Sequence, residues 1–349
     1  MRIAIENPTF LLTDQSRNFN GYNYIFFKKY VDTVYIMDPR KISAYRKVFS
    51  SMGKETIRIV YSGRVLNSRT DVLVCFNGQP NRLLHKPPAL FKGIKIFHIM
   101  DFVFYTKDAN TALEKASVDY LMGYCNHGKH NEFFRKMYPS YIDKILPVPF
   151  GYGERFKYLK PFEERINKAI AVGSVNPVND PLCPKGMLDD YIAFYPNVQF
   201  SHILRREIVL NREIWADAID NLLPIFPETK NPHYDPVKIL NDYTMFINDE
   251  GLMNFPPART YEGIACGCVM VAANTNVFTE LGFEDGVNAI LFQPGNYDDM
   301  MLKIRYYMMH PLELKFIQNK SLQLAKSFSH ESIADKLYND IRRIYDRKY

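Results

Sequence analysis

The chain has 349 residues, 47% of them hydrophobic and 14% aromatic, with 44 Lys/Arg against 38 Asp/Glu and a formal net charge of +6. That apolar content excludes a disordered chain, and 17 glycines exclude a collagen-like one. No apolar run approaches the ~20 residues that span a bilayer, and the opening MRIAIENP has no extended apolar signal core.

A length of 349 suits two domains of about 100–200 residues each. The pattern opens with a short strand at Arg2–Ile5, then a helix near Tyr22–Val31 and a strand at Val34–Met37. Asp71–Phe76 and Lys95–Met100 read as buried strands, ending at Asn77-Gly78 and at Asp101. A helix at Ala109–Ala116, a strand at Tyr120–Tyr124, a helix at His130–Met137 and a strand at Ile145–Pro147 follow. Strands that alternate with helices imply a parallel sheet with right-handed crossovers.

Pro147, Pro149, Gly151, Gly153 and Pro161 then punctuate a charged segment that runs to Arg165 and reads as a linker. The pattern restarts at Ala169–Val172, closed by Gly173-Ser174, with further strands at Val198–Ser201 and Met245–Ile247. Pro256-Pro257 introduces a helix over Ala258–Cys266, Gly267 ends it, and Val269–Ala272 is the next strand. From Tyr297 the chain reads as helix almost to its end, broken at His310-Pro311 and at Ser327–Ser329. The expected domains are 1–155, 166–328 and a terminal helix within 329–349.

Several motifs are missing. G-x-G-x-x-G, the P-loop, G-x-S-x-G and H-E-x-x-H do not occur, which weakens dinucleotide, ATPase, hydrolase and zinc-protease readings. The five cysteines are scattered and read as buried thiols in a reducing compartment rather than as metal ligands. Residues 1–155 carry 23 Lys/Arg against 13 Asp/Glu, a balance of +10, which leaves −4 for the rest. A basic first half attracts an anionic surface or acceptor, or is simply a solvated basic face.

The densest signal is Asn254-Phe-Pro-Pro-Ala-Arg-Thr-Tyr-Glu262, with Gly267 beyond it. A helix start with free N–H groups can hold a phosphate. Arg259 in its first turn adds a forked, charge-assisted contact. Glu262, three residues on, shares that face, where its carboxylate can accept from a ribose diol. Spacing alone favours a surface Arg/Glu pair on an ordinary helix.

Those residues carry a resemblance. RTYEGIACGCVMVA, FTELGFEDGVNAILF and SFSHESIADKLYNDI resemble the C-terminal half of GT-B glycosyltransferases of the group-1 type with a CgeB-like C-terminal domain. ILPVPFGYGERF is similar to the segment that leads from the first domain into the second, and AIAVGS to the first strand of the nucleotide-sugar domain. The resemblance is specific over about 240–345, moderate over 120–190 and topological elsewhere. It implies two Rossmann-like domains that face a cleft, with a C-terminal helix crossing back to the first. It further implies a cytoplasmic, metal-independent enzyme of polysaccharide biosynthesis with no cofactor, peripheral to the inner membrane face. A UDP-sugar is the expected donor and an anionic glycan or glycolipid the expected acceptor. By resemblance, Glu262 holds the ribose, Gly173 and Ser174 approach the diphosphate, and Arg259 and Lys185 neutralise it. Retaining members carry a Glu eight residues before the ribose Glu. Here that position is Asn254 and Glu250 lies off register, so the anomeric outcome stays open.

The R-x-x-E of Arg259 and Glu262, with a strand ending in Asp101, is also similar to phage DNA β-glucosyltransferases. That similarity implies Asp101 as the base that deprotonates an acceptor hydroxyl, with DNA as the alternative acceptor. His98 is the second candidate base. A sugar-nucleotide epimerase or a glycan-binding protein on the same fold is the remaining alternative.

Overall fold

The computed structural model describes residues 1–12, 21–36, 38–76, 91–99, 102, 108–173, 175, 189–196, 202–223, 235–251 and 254–349. The chain forms two compact units, Met1–Pro149 with His330–Tyr349, and Phe150–Ser329.

The first unit has seven strands: β1 (Ile3–Glu6), β2 (Thr33–Tyr35), β3 (Arg58–Val60), β4 (Val72–Cys75), β5 (Ile94–His98), β6 (Tyr120–Gly123) and β7 (Ile145–Pro147). They pair in parallel in the order β3-β2-β1-β4-β5-β6-β7. Its helices are α1 (Tyr22–Tyr30), α2 (Ile42–Ser51), α3 (Gly63–Arg69), α4 (Ala109–Lys115), α5 (His127–His130) and α6 (Glu132–Met137). Every residue of β1, β4 and β5 is buried, as expected of parallel strands covered on both faces. The expected helix His130–Met137 is two short ones. Asn131 sits between them in extended conformation, and its side chain accepts from Phe134 N at 2.8 Å. An asparagine that caps a new helix competes with continuing the old one.

The second unit contains β8 (Ile166–Ala171), β9 (Ile219–Asn221), β10 (Tyr243–Ile247), β11 (Val269–Ala273) and β12 (Ile290–Phe292). These pair in parallel in the order β12-β11-β10-β8-β9. Its helices are α7 (Asp189–Phe194), α8 (Ile203–Leu210), α9 (Pro236–Asp242), α10 (Ala258–Ala265), α11 (Asn276–Glu280), α12 (Tyr297–Met309) and α13 (Pro311–Ala325). One core joins Ala169, Ala171, Met245, Ile247, Val269, Val271 and Ile290 of the sheet to Met300, Ile304, Leu314 and Ile317 of α12 and α13. Gly267, after α10, has φ +73°, the left-handed conformation in which a glycine ends a helix cheaply. The strand expected at Val198–Ser201 lies outside the described residues.

The last helix, α14 (His330–Lys348), returns to the first unit and packs on α1. Lys29 Nζ donates to Glu331 at 2.6 Å and to Asp335 at 2.9 Å, the Tyr30 hydroxyl donates to Asp335 at 2.6 Å, and Tyr30 stacks on Tyr338 with centroids 4.1 Å apart. The two parallel sheets and the returning helix match the architecture expected from sequence. Among the described residues no helix is long and apolar enough to cross a membrane.

Candidate functional site

Adjacent strands β8 and β10 of the second unit lead, at their carboxyl ends, into Val172-Gly173 and Asn248-Asp249-Glu250. The chain runs outward from β8 in both directions, to β9 on one side and to β10 on the other. Crevices outside the strand ends at such a reversal are where open α/β sheets bind ligands. The starts of α10 and α8 complete the surroundings.

Gly173 has φ +119°, and a Cβ built there would run into the guanidinium groups of both Arg259 and Arg205. Only a glycine fits that conformation and that close approach. Arg259 Nη1 donates to Val172 O, and its buried Nε has no partner. Arg205 comes from α8, is only 5% exposed, and donates from Nη2 to Asp249 Oδ1 at 2.8 Å. His202 Nδ1 lies 3.2 Å from the same oxygen. Burial alone would raise the Asp249 carboxyl, but Arg205, then His202 and Arg259, hold it far below the usual range. Asp249 is therefore a fixed anion for Arg205, while Arg259 makes no ion pair among the described residues.

The position of α10 is set by a tie to β10, since Asn248 Nδ2 donates to Thr260 Oγ1 at 2.8 Å. Pro257 caps the helix in extended conformation, at φ −70° and ψ 165°. Glu262 lies one turn below Arg259. Burial pushes its carboxyl up to about 7, against the opposing pull of Arg155 and Arg259. Glu250 accepts from the Thr275 hydroxyl at the start of α11, and burial pushes it likewise up to about 7. Asn254, the expected site of a retaining-type Glu, occupies a left-handed turn at φ +51°.

Of the residues singled out from sequence, Gly173, Arg259 and Glu262 lie together here. Asp101, Ser174 and Lys185 fall outside the described residues. Arg205, His202 and Asp249 are site residues that the sequence reading does not single out. Asp249 and Glu250 did carry a signal, an acidic pair directly after a buried parallel strand. Arg205 carried none, being one of two arginines in an ordinary amphipathic helix.

Residues 213–339 match the family described as glycosyl transferase-like. Nearly the whole chain superimposes on HepE of Anabaena crystallised with UDP, at 12% identity and a TM-score of 0.55, covering 98% of this chain and 100% of that one. The chain has the GT-B glycosyltransferase fold. A glycosyltransferase from Rickettsia africae gives 14% identity and a TM-score of 0.52 over 99% of this chain and 98% of the other. The sucrose-phosphate synthase of Thermosynechococcus elongatus gives 11% and 0.52 over 99% and 100%. No curated protein matches the sequence. The matched segment covers most of the second unit and the start of α14, and it includes α10 with Arg259 and Glu262.

Proposed function

We propose that the protein is a nucleotide-sugar-dependent glycosyltransferase that binds its donor at the carboxyl ends of β8 and β10. The observation that carries this reading is the pair of guanidinium groups, Arg205 and Arg259, closing on Gly173, with Glu262 one turn along the same helix. Asp249 pairs with Arg205, and Arg259 has no ion-pair partner among the described residues, so a diphosphate supplies the missing negative charge. Arg259 meets the diphosphate, Glu262 accepts from the ribose hydroxyls, and the Gly173 backbone allows close approach. Ser174 and Lys185 belong to the same subsite in this reading.

UDP is the proposed nucleotide. HepE, a relative in fold, has been crystallised with UDP and with UDP-glucose. The acceptor is a hydroxyl of a surface glycan or glycolipid, which the +10 balance of residues 1–155 favours where that acceptor is anionic. In the transfer the acceptor oxygen bonds to the anomeric carbon as the bond from that carbon to the phosphate oxygen breaks. The electron pair leaves with the nucleoside diphosphate, and the hydroxyl proton passes to a base, for which Asp101 is the proposed residue. The arginines supply charge that a divalent cation supplies in other transferases, so turnover is expected to survive EDTA.

A thermal-shift screen against nucleotide sugars tests the reading. A donor at 100 times its Kd stabilises by about 2.7 kcal/mol, which moves Tm by roughly 2–4 °C per kcal/mol in a domain of this size. UDP-sugars are expected to give that shift. No shift with any nucleotide sugar would overturn the proposal.

A further inference from the structure

The second unit has a cavity at the end of its sheet opposite to Gly173 and Asp249. It lies at the amino ends of β8 and β10, beside Asn167 and Thr244, and the first turn of α13 forms its other side through Pro311 and Leu312. Its volume is about 360 Å³, at the low end of ligand-sized clefts and enough for a large side chain. Phe162, in the short helical turn before β8, is part of the core of the unit and lines the cavity from within. Polar groups in the walls are engaged already. The Arg165 guanidinium donates to main-chain carbonyls, and Asn167 Nδ2 donates to Met308 O at 2.9 Å. What the cavity offers an occupant is therefore mainly apolar surface.

The rim is apolar too, but it stands in water. Leu312 is 83% exposed, Met309 72% and Phe316 51%. They fall where α12 gives way to α13. Single exposed apolar residues are ordinary. A group of them beside an apolar cavity, bordered by charge, marks an interaction site. The bordering charges are of both signs. Lys315 Nζ donates to Glu163 Oε1 at 2.5 Å, both residues line the cavity, and both side chains keep much of their surface in water. An exposed pair of this kind contributes little within one chain. Each member can exchange its partner for the same group on another chain at little cost.

We infer that this face joins two copies of the chain about a two-fold axis, with Leu312 of each copy seated in the cavity of the other. A knob and a hole side by side on one surface are self-complementary, which a two-fold interface requires. The same axis pairs Glu163 of one copy with Lys315 of the other and the reverse, so the charges match without further residues. A lipid leaflet suits the face less well. Glu164 and Glu313 add negative charge beside the rim, and residues 156–349 carry a balance of −4, whereas a membrane surface selects clustered cations. Gly173 and Asp249 lie at the opposite strand ends, so the dimer leaves the proposed donor site open.

Sedimentation velocity of the full chain across the micromolar range tests this. A monomer–dimer equilibrium is expected. Leu312→Asp should weaken it by about a hundredfold or more, because the substitution enters a two-fold interface twice. Leu312→Met, of similar volume, should keep it. Glu163→Lys and Lys315→Glu should each weaken it, and an equimolar mixture of the two variants should restore it, because only the mixed pair sets opposite charges against each other at both contacts. That recovery separates a lost interface from a lost fold. A chain that stays monomeric throughout the range would overturn the inference, including one that floats with vesicles of phosphatidylcholine and phosphatidylglycerol. A dimer left intact by Leu312→Asp, or a mixture that associates no better than either variant alone, would overturn it equally.

Discussion

Glu262 and Glu250 share an electrostatic position that gives a pH signature. Burial pushes each carboxyl up to about 7 in the folded protein, against about 4.3 in an unfolded chain. Between those values the native state holds protons that the unfolded state has released. Stability therefore falls as pH rises through that window. Glu262→Gln removes the cost of an ionised buried carboxylate. It should raise Tm at pH 8 and change it little at pH 4, as differential scanning calorimetry at the two pH values can show. Gly173→Ala acts through sterics instead. Its φ of +119° and the two guanidinium groups leave no room for a Cβ, so stability should fall by about 1–3 kcal/mol and UDP affinity with it. Chemical denaturation and a UDP titration of the same variant measure both effects.

At the scale of elements, Arg165 holds the ends of several together. Its guanidinium donates to Lys160 O, Leu240 O, Tyr243 O, Cys266 O and Gly267 O at 2.7–3.2 Å. Cys266 and Gly267 follow α10, where carbonyls lack helical partners and a cation is favoured. Arg165→Leu strands those acceptors in a buried place. We expect a loss of about 3 kcal/mol or more, read from the midpoint of urea unfolding, and no compensating gain at any pH between 5 and 8.

Much of this layer was legible in the sequence. Buried parallel strands such as Asp71–Phe76 show as unbroken apolar runs, and Gly267 and His310-Pro311 mark helix ends by their own backbone chemistry. Arg165 shows only as the last residue of a charged linker, because its role depends on carbonyls some 75 to 102 residues away in sequence. Strands β3, β9 and β12, three residues each at the sheet edges, do not show in the sequence because a strand of that length has too few residues to display a period. In the site, Gly173, Arg259 and Glu262 stood out because one short motif or one strand end holds them. Arg205 and His202 reach it through tertiary packing of α8, which leaves no local trace.

At the scale of the molecule, α14 belongs to a unit whose other residues end at Pro149. Its buried stripe, Ile333, Ala334, Leu337, Ile341 and Ile344, follows helical spacing. Each Ile or Leu in it stabilises by up to about 1.5–3 kcal/mol on burial. A chain ending at Ser329 should thus lose stability in the first unit while the second still binds UDP. Limited proteolysis with and without UDP can follow the two units separately. The central claim, that this second unit holds a nucleotide-sugar donor on Arg259 and Glu262, is tested most directly by titrating UDP into wild type and Glu262→Ala in a calorimeter. We predict that wild type binds and that the folded variant binds roughly 10- to 150-fold more weakly, as expected for a lost charged hydrogen-bond pair of about 1.5–3 kcal/mol. Equal affinity in the two, or no binding by wild type, would contradict it.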